Sequence, residues 1–174
     1  EEDGLRSPIS EGSVWVIDPI DGTNNFVTQK EDFAVMVAYF EDGIGQFGLI
    51  YDVMRDHLFY GGGEFPVYRN EVELTPFVDQ PLENFLIASN VGMLEKNDWG
   101  MADLGMDSLG IRVYGSAGIS FSKILSGGIL AYFSYIWPWD YAAAAIMGEQ
   151  LGYTVLNLNG DKPNYQSVEP IMMV

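Results

Sequence analysis

A short β-rich run that ends in paired acids constrains this chain more than any other feature. Val14-Trp15-Val16-Ile17 passes directly into Asp18-Pro19-Ile20-Asp21-Gly22-Thr23. The run has the length and β-branched content of a buried strand. Two carboxylates delivered to the end of such a strand are costly as plain structure. At about 6 Å apart they repel by roughly 2–3 kcal/mol at an effective dielectric of about 20. Protons or a multivalent cation must compensate. An all-oxygen donor set favours a hard ion, Mg²⁺ or Mn²⁺. Pro19 fixes the turn and leaves the Ile20 carbonyl to face the same ion, while Gly22 lets the backbone approach a ligand. Gly22 and Thr23 would open a helix whose first N–H groups suit phosphate oxygens, and the Thr23 hydroxyl can orient a water. The plain alternative is a turn with a helix cap, and turns of this composition are common.

A third acid, Asp140, follows Trp137-Pro138-Trp139 and opens an Ala-rich segment that Gly152 stops. A first-turn Asp is ordinarily a cap. Cap and ligand both remain open for it at this point.

Charge narrows the function classes. Acids outnumber Lys and Arg 25 to 8, for a net charge of −17. A chain so poor in cations cannot neutralise a phosphate ladder, so nucleic-acid binding is excluded on charge, and an anionic membrane would repel it. With 48% hydrophobic and 14% aromatic residues, the 174-residue chain has ample material for a core and is not a disordered acidic tail. The apolar run Ile129 to Trp137, interrupted by Ser134, is far too short to span a bilayer. Cysteine is absent, which removes disulfides and thiolate chemistry and fits a reducing, cytoplasmic setting. The start at Glu1, with neither Met nor a signal-peptide pattern, reads as the retained part of a longer chain.

Along the chain, residues 1–13 read as a loop. Strands are expected at Val14–Ile17, Phe33–Phe40, Gln46–Tyr51, Leu58–Tyr60 and Val67–Arg69. A hairpin is expected at Glu41-Asp42-Gly43 and a turn at Gly61-Gly62-Gly63. The second half alternates strands with helices. Strands are expected at Phe85–Ala88, Ile111–Tyr114, Leu130–Ile136, Thr154–Leu158 and Ile171–Val174. Ser116 would cap a helix with apolar Ala117, Phe121, Ile124 and Leu125, ended by Gly127-Gly128. Asp140 to Leu151 is the other helix, with small residues on several faces that suit close layer packing. The organisation expected is α+β: an antiparallel-sheet half over residues 1–84 and an α/β half over 85–174, sharing one core.

Two long stretches carry a resemblance. Trp15 to Phe26 (W-V-I-D-P-I-D-G-T-N-N-F) resembles the first signature of the inositol monophosphatase family, and Pro138 to Gly152 (P-W-D-Y-A-A-A-A-I-M-G-E-Q-L-G) its second. Glu1-Glu2 is similar to the family's Glu-Glu pair, and Tyr114-Gly115-Ser116-Ala117 to its segment at a helix start. The resemblance implies a layered αβαβα sugar-phosphatase fold and Mg²⁺-dependent, often lithium-sensitive hydrolysis of small phosphate monoesters by a homodimer. It implies two or three ions, with Mn²⁺ also acceptable. Glu1, Asp18 and the Ile20 carbonyl would hold the first, and Asp18, Asp21 and Asp140 the second. Glu1 and Thr23 would activate the attacking water, with Glu2 one step behind. Gly22 and Thr23 amides would take phosphate oxygens. Gly115, Ser116, Ala117 and Ser134 would face substrate, with Ser134 where inositol-specific members carry an acid.

Other readings compete. A phosphatase working through a phosphorylated Asp needs its two acids two apart, whereas Asp18 and Asp21 are three apart. A catalytically inactive relative acting as a scaffold is the non-enzyme alternative, and 3′-phosphonucleotides and fructose bisphosphate are alternative substrates. His57, Arg112 and Lys123 read as ordinary surface residues. The aromatic group Tyr132, Phe133, Tyr135, Trp137 and Trp139 reads as core, a pocket wall or a dimer face.

Overall fold

The structure is a computed structural model and describes residues 8–79 and 81–174. It opens with strand β1 (Ser13–Asp21) and a short helix α1 (Thr23–Thr28). Strands β2 (Ala34–Glu41), β3 (Ile44–Asp52), β4 (His57–Gly62), β5 (Phe65–Arg69) and β6 (Val72–Glu73) follow. These six strands form an antiparallel meander in chain order, called sheet A. The expected hairpin joins β2 to β3 through Asp42 and Gly43. Their φ angles of 48° and 81° make the two-residue turn whose twist matches the strands it joins.

The second half runs β7 (Leu86–Ser89), α2 (Val91–Lys96), α3 (Met101–Asp107) and β8 (Gly110–Arg112). It continues through α4 (Ala117–Leu125), β9 (Ala131–Ile136), α5 (Pro138–Gln150), β10 (Val155–Asn157) and β11 (Glu169–Met173). Sheet B has the order β10-β11-β9-β7-β8; β7 is parallel to both β8 and β9, and β11 is antiparallel to β9 and β10.

Alternation along the strands of sheet B separates two apolar layers. Ala88, Tyr132, Ile136, Ile171 and Met173 face a core shared with α4, α5 and the inner residues Ala34, Met36, Ala38 and Phe40 of β2. Ile87, Ala131 and Phe133 face the other way, against Met93 of α2 and Met101 of α3. The described residues thus stack as sheet A, the α4–α5 pair, sheet B, and α2 with α3. On the other face of sheet A, Trp15 and Ile17 are 58% and 51% exposed.

The α4–α5 layer is thin because its small residues meet glycines. A Cβ on Gly48 would sit 2.4 Å from the Ala143 carbonyl oxygen, so the α5 backbone lies directly on β3. The run Ala142–Ala145 therefore works as a flat packing face.

Several boundaries differ from the sequence expectation. β1 does not stop at Ile17 but carries on through both acids to Asp21. Helix α5 begins at Pro138, because proline is well suited to a first helical turn. Gly61 and Gly62 belong to β4, where the ladder with β5 slips, rather than to the turn alone. Strand β8 closes at Arg112, two residues before Tyr114. Helices α2 and α3 are additions: each is too short for apolar periodicity to announce.

Candidate active site

The acids of β1 converge because the strand is irregular. Asp18 lies opposite Met36 and Asp21 opposite Ala34, so three steps on β1 span two on β2. The extra residue is a β-bulge at Pro19-Ile20. In a regular strand, positions three apart face opposite ways. The bulge turns both carboxylates inward, leaving Asp18 1% and Asp21 6% exposed while Pro19 and Ile20 face outward.

Each carboxylate has donors. Asp18 Oδ1 accepts from the Ile20 amide at 3.1 Å. Asp21 sits at the start of α4, where it accepts from the Ala117 amide at 3.0 Å, the Gly118 amide at 2.8 Å and the Ser116 hydroxyl. Ser116 is also the expected cap of α4, since its Oγ accepts from the Ile119 amide at 3.1 Å. Gly22 has φ 81°, and a Cβ there would meet the Ser116 Cβ at 2.9 Å, so glycine is required for two reasons at once. The close approach serves the Ser116 loop, where the sequence reading assigned it to a ligand.

Asp140 comes from the opposite direction, in the first turn of α5. Its Oδ2 accepts the Trp137 amide at 2.7 Å, so it does cap the helix. It also joins the acids of β1: carboxylate oxygens of Asp18, Asp21 and Asp140 all lie within 4.8 Å of one another. Burial, then the charges of Asp21 and Asp18, push its pKa up to about 8, against the Trp137 hydrogen bond that lowers it. The cap and the cluster are one arrangement, not alternatives.

A cavity of about 340 Å³ opens beside this cluster, lined by Asp21, Asp140, Ser89, Asn90, Ser120, Tyr132 and others. It lies beyond the C-terminal ends of β7, β8 and β9, where open α/β sheets present ligand sites. Among the described residues, none that lines it is Lys, Arg or His. Three clustered acids repel one another, and protons or positive charge must compensate. The all-oxygen set fits a hard divalent cation.

The other expected site residues are placed as follows. Glu1 and Glu2 lie outside the described residues. The Ile20 carbonyl accepts the Thr23 hydroxyl at 3.0 Å, which leaves a carbonyl lone pair available and gives the hydroxyl a resting partner. Gly22 is the N-cap of α1. Gly115, Ser116, Ala117 and Ser134 all line the cavity. Ser134 is 3% exposed, and its Oγ accepts the Asn90 side-chain amide at 2.9 Å.

Among the aromatics, Tyr132 and Tyr135 line the cavity. Trp137 and Trp139 stack with centroids 4.9 Å apart, and Phe133 faces α2 and α3. Arg112 is exposed and donates to its neighbour's carbonyl on Ile111. His57 begins β4 in sheet A.

Sequence reasoning passed over Asn90 and Asn25. Asn25 Nδ2 donates to the carbonyls of Asp32 at 2.9 Å and Tyr114 at 2.7 Å, tying α1 to the loop before Ser116. Its place in Trp15 to Phe26 was the available signal. Asn90 had none, because its partner Ser134 is 44 residues away.

The inositol monophosphatase family model matches residues 1–173. The chain is 38% identical over 156 residues to inositol-1-monophosphatase of Bacillus subtilis (strain 168), covering 87% of this chain and 59% of that protein. The structure of inositol monophosphatase II from Staphylococcus aureus MSSA476 superposes with a TM-score of 0.91 at 33% identity, over 98% of this chain and 67% of that one. An IMPase/NADP phosphatase complexed with Mg²⁺ and phosphate gives a TM-score of 0.90 at 26% identity, over 99% and 66% of the two chains. The chain spans about three fifths of the length of the curated relatives it matches.

Proposed function

This chain belongs to the inositol monophosphatase family, and on that premise we propose that it hydrolyses a small phosphate monoester of a sugar, polyol or nucleotide with Mg²⁺. The observation that carries the reading is the convergence of Asp18, Asp21 and Asp140 within 4.8 Å beside a cavity. A related structure with bound Mg²⁺ and phosphate supports it.

In this reading Asp18, Asp21 and Asp140 hold one ion, and Asp18, the Ile20 carbonyl and Glu1 hold another, for two or three ions in all. Mn²⁺ would serve in their place. Bound Mg²⁺ supplies the charge that makes a water acidic enough to attack phosphorus and that steadies the leaving oxygen. The chain's own groups position and orient. The three donors on Asp21 fix the direction of its carboxylate. Thr23 and Glu1 would orient the water, Glu2 would support Glu1, and the Gly22 and Thr23 amides would take phosphate oxygens. Lithium sensitivity, a homodimer and a cytoplasmic setting belong to the same proposal.

The test is phosphate release from a phosphomonoester panel with Mg²⁺, with and without lithium. Asp140→Asn and Thr23→Ala are each expected to lower kcat/KM at least about a hundredfold. Undiminished turnover in both variants, or in EDTA, overturns the reading.

A further inference from the structure

Beside the acids, the cavity lining includes neutral hydroxyl and amide groups, and one of their hydrogen bonds has a fixed direction. Asn90 sets that direction. Its Oδ1 accepts the Met93 amide at 2.8 Å as the cap of α2, so the side-chain amide cannot flip without facing one N–H with another. Its Nδ2 therefore donates, at 2.9 Å, to Ser134 Oγ. Ser134 accepts there and has one proton to pass on.

Ser120 Oγ, on the same lining, donates to the Ser116 carbonyl at 2.8 Å. Asn90, Ser134, Ser120 and Tyr132 all line the cavity. With Ser134 Oγ supplied from behind by Asn90, its own proton is left to offer a ligand. Among the described residues no Lys, Arg or His lines the cavity, so none of them offers a charge partner to a second phosphate.

Resting on the phosphatase reading above, we propose that Asn90 is a specificity-determining residue. By fixing Ser134 as acceptor from behind, it makes this wall a hydrogen-bond donor. The site then selects monoesters whose alcohol part is uncharged and presents an oxygen acceptor to the wall. A carboxylate at the position of Ser134 would select the opposite polarity, a hydroxyl that donates.

The test compares the unsubstituted protein with Asn90→Asp. Aspartate keeps the cap, because a carboxylate also accepts the Met93 amide. It cannot donate to Ser134, so Ser134 turns to donate to it and the wall becomes an acceptor. The substrates are a sugar monophosphate and analogues in which each hydroxyl in turn becomes fluorine, which accepts weakly and cannot donate, or hydrogen, which does neither. Each kcat/KM is expressed relative to p-nitrophenyl phosphate for the same variant.

In the unsubstituted protein, at the position facing the wall, fluorine is expected to cost under about threefold and hydrogen about tenfold. In Asn90→Asp the fluorine cost at that position rises to about tenfold. Thermal melting of Asn90→Asp and Asn90→Ala separates polarity from the cap: only the alanine variant loses the cap and melts markedly lower. An identical fluorine profile in both proteins overturns the inference, as does a tenfold fluorine loss at every position in the unsubstituted protein. Absence of Mg²⁺-dependent release from p-nitrophenyl phosphate overturns the phosphatase reading itself, and the inference falls with it.

Discussion

Asp140 is pulled in two directions. The Trp137 amide favours its ionised form, while burial and the nearby charges of Asp21 and Asp18 oppose it and win. The consequence is a pH dependence with a definite sign. An unfolded Asp titrates near about 4. The folded, metal-free protein holds this proton up to about 8. Across that window the folded state binds more protons than the unfolded chain, so stability falls as pH rises. Melting in EDTA is expected to show Tm dropping from pH 5 to pH 8. Asp140→Asn should flatten the drop, and Mg²⁺ should largely remove it by standing in for the proton. A Tm that rises over this range in EDTA would contradict the placement of Asp140 among the acids.

At the level of elements, the start of α4 couples helix and site. Ser116 caps the helix through Ile119 and donates to Asp21, so one hydroxyl satisfies a helix amide and orients a carboxylate. Ser116→Ala removes both and is expected to cost about 2 kcal/mol in urea unfolding, with most of it regained in Ser116→Thr. Full stability in the alanine variant would show the two bonds to be unimportant. The bulge in β1 is the other element-level device. Without it, Asp18 and Asp21 would lie on opposite faces of sheet A, and no cluster could form. The Asn25 clamp holds the bulged strand's continuation, α1, against the loop that leads into α4.

Across the whole molecule, the site exists because α5 is pressed between two sheets with its first turn at the end of β1. That position depends on the bare backbone of β3. Gly48→Ala places a methyl 2.4 Å from the Ala143 carbonyl, where the backbone must move away. The expected cost is at least about 3 kcal/mol in chemical unfolding, with Mg²⁺-dependent turnover falling alongside as Asp140 shifts. An unchanged midpoint would mean the layer spacing is looser than the structure has it. The charge of −17 also reads differently at this scale, because three of the acids, Asp18, Asp21 and Asp140, are gathered in one cluster and are not spread as surface.

Much of this was legible in the residues. Short β-rich and apolar runs and turn chemistry mark the strands of sheet A, since both are local signals. The caps at Ser116 and the stop at Gly127-Gly128 are likewise local, and so is the pairing of acids at Asp18 and Asp21. Tertiary structure alone decided three things. It settled that Asp140 serves as cap and cluster member together, that Gly22 yields space to Ser116, and that Asn90 donates to Ser134. Each joins groups far apart in the chain, and no local periodicity or turn preference encodes which distant partner the packing of layers will bring.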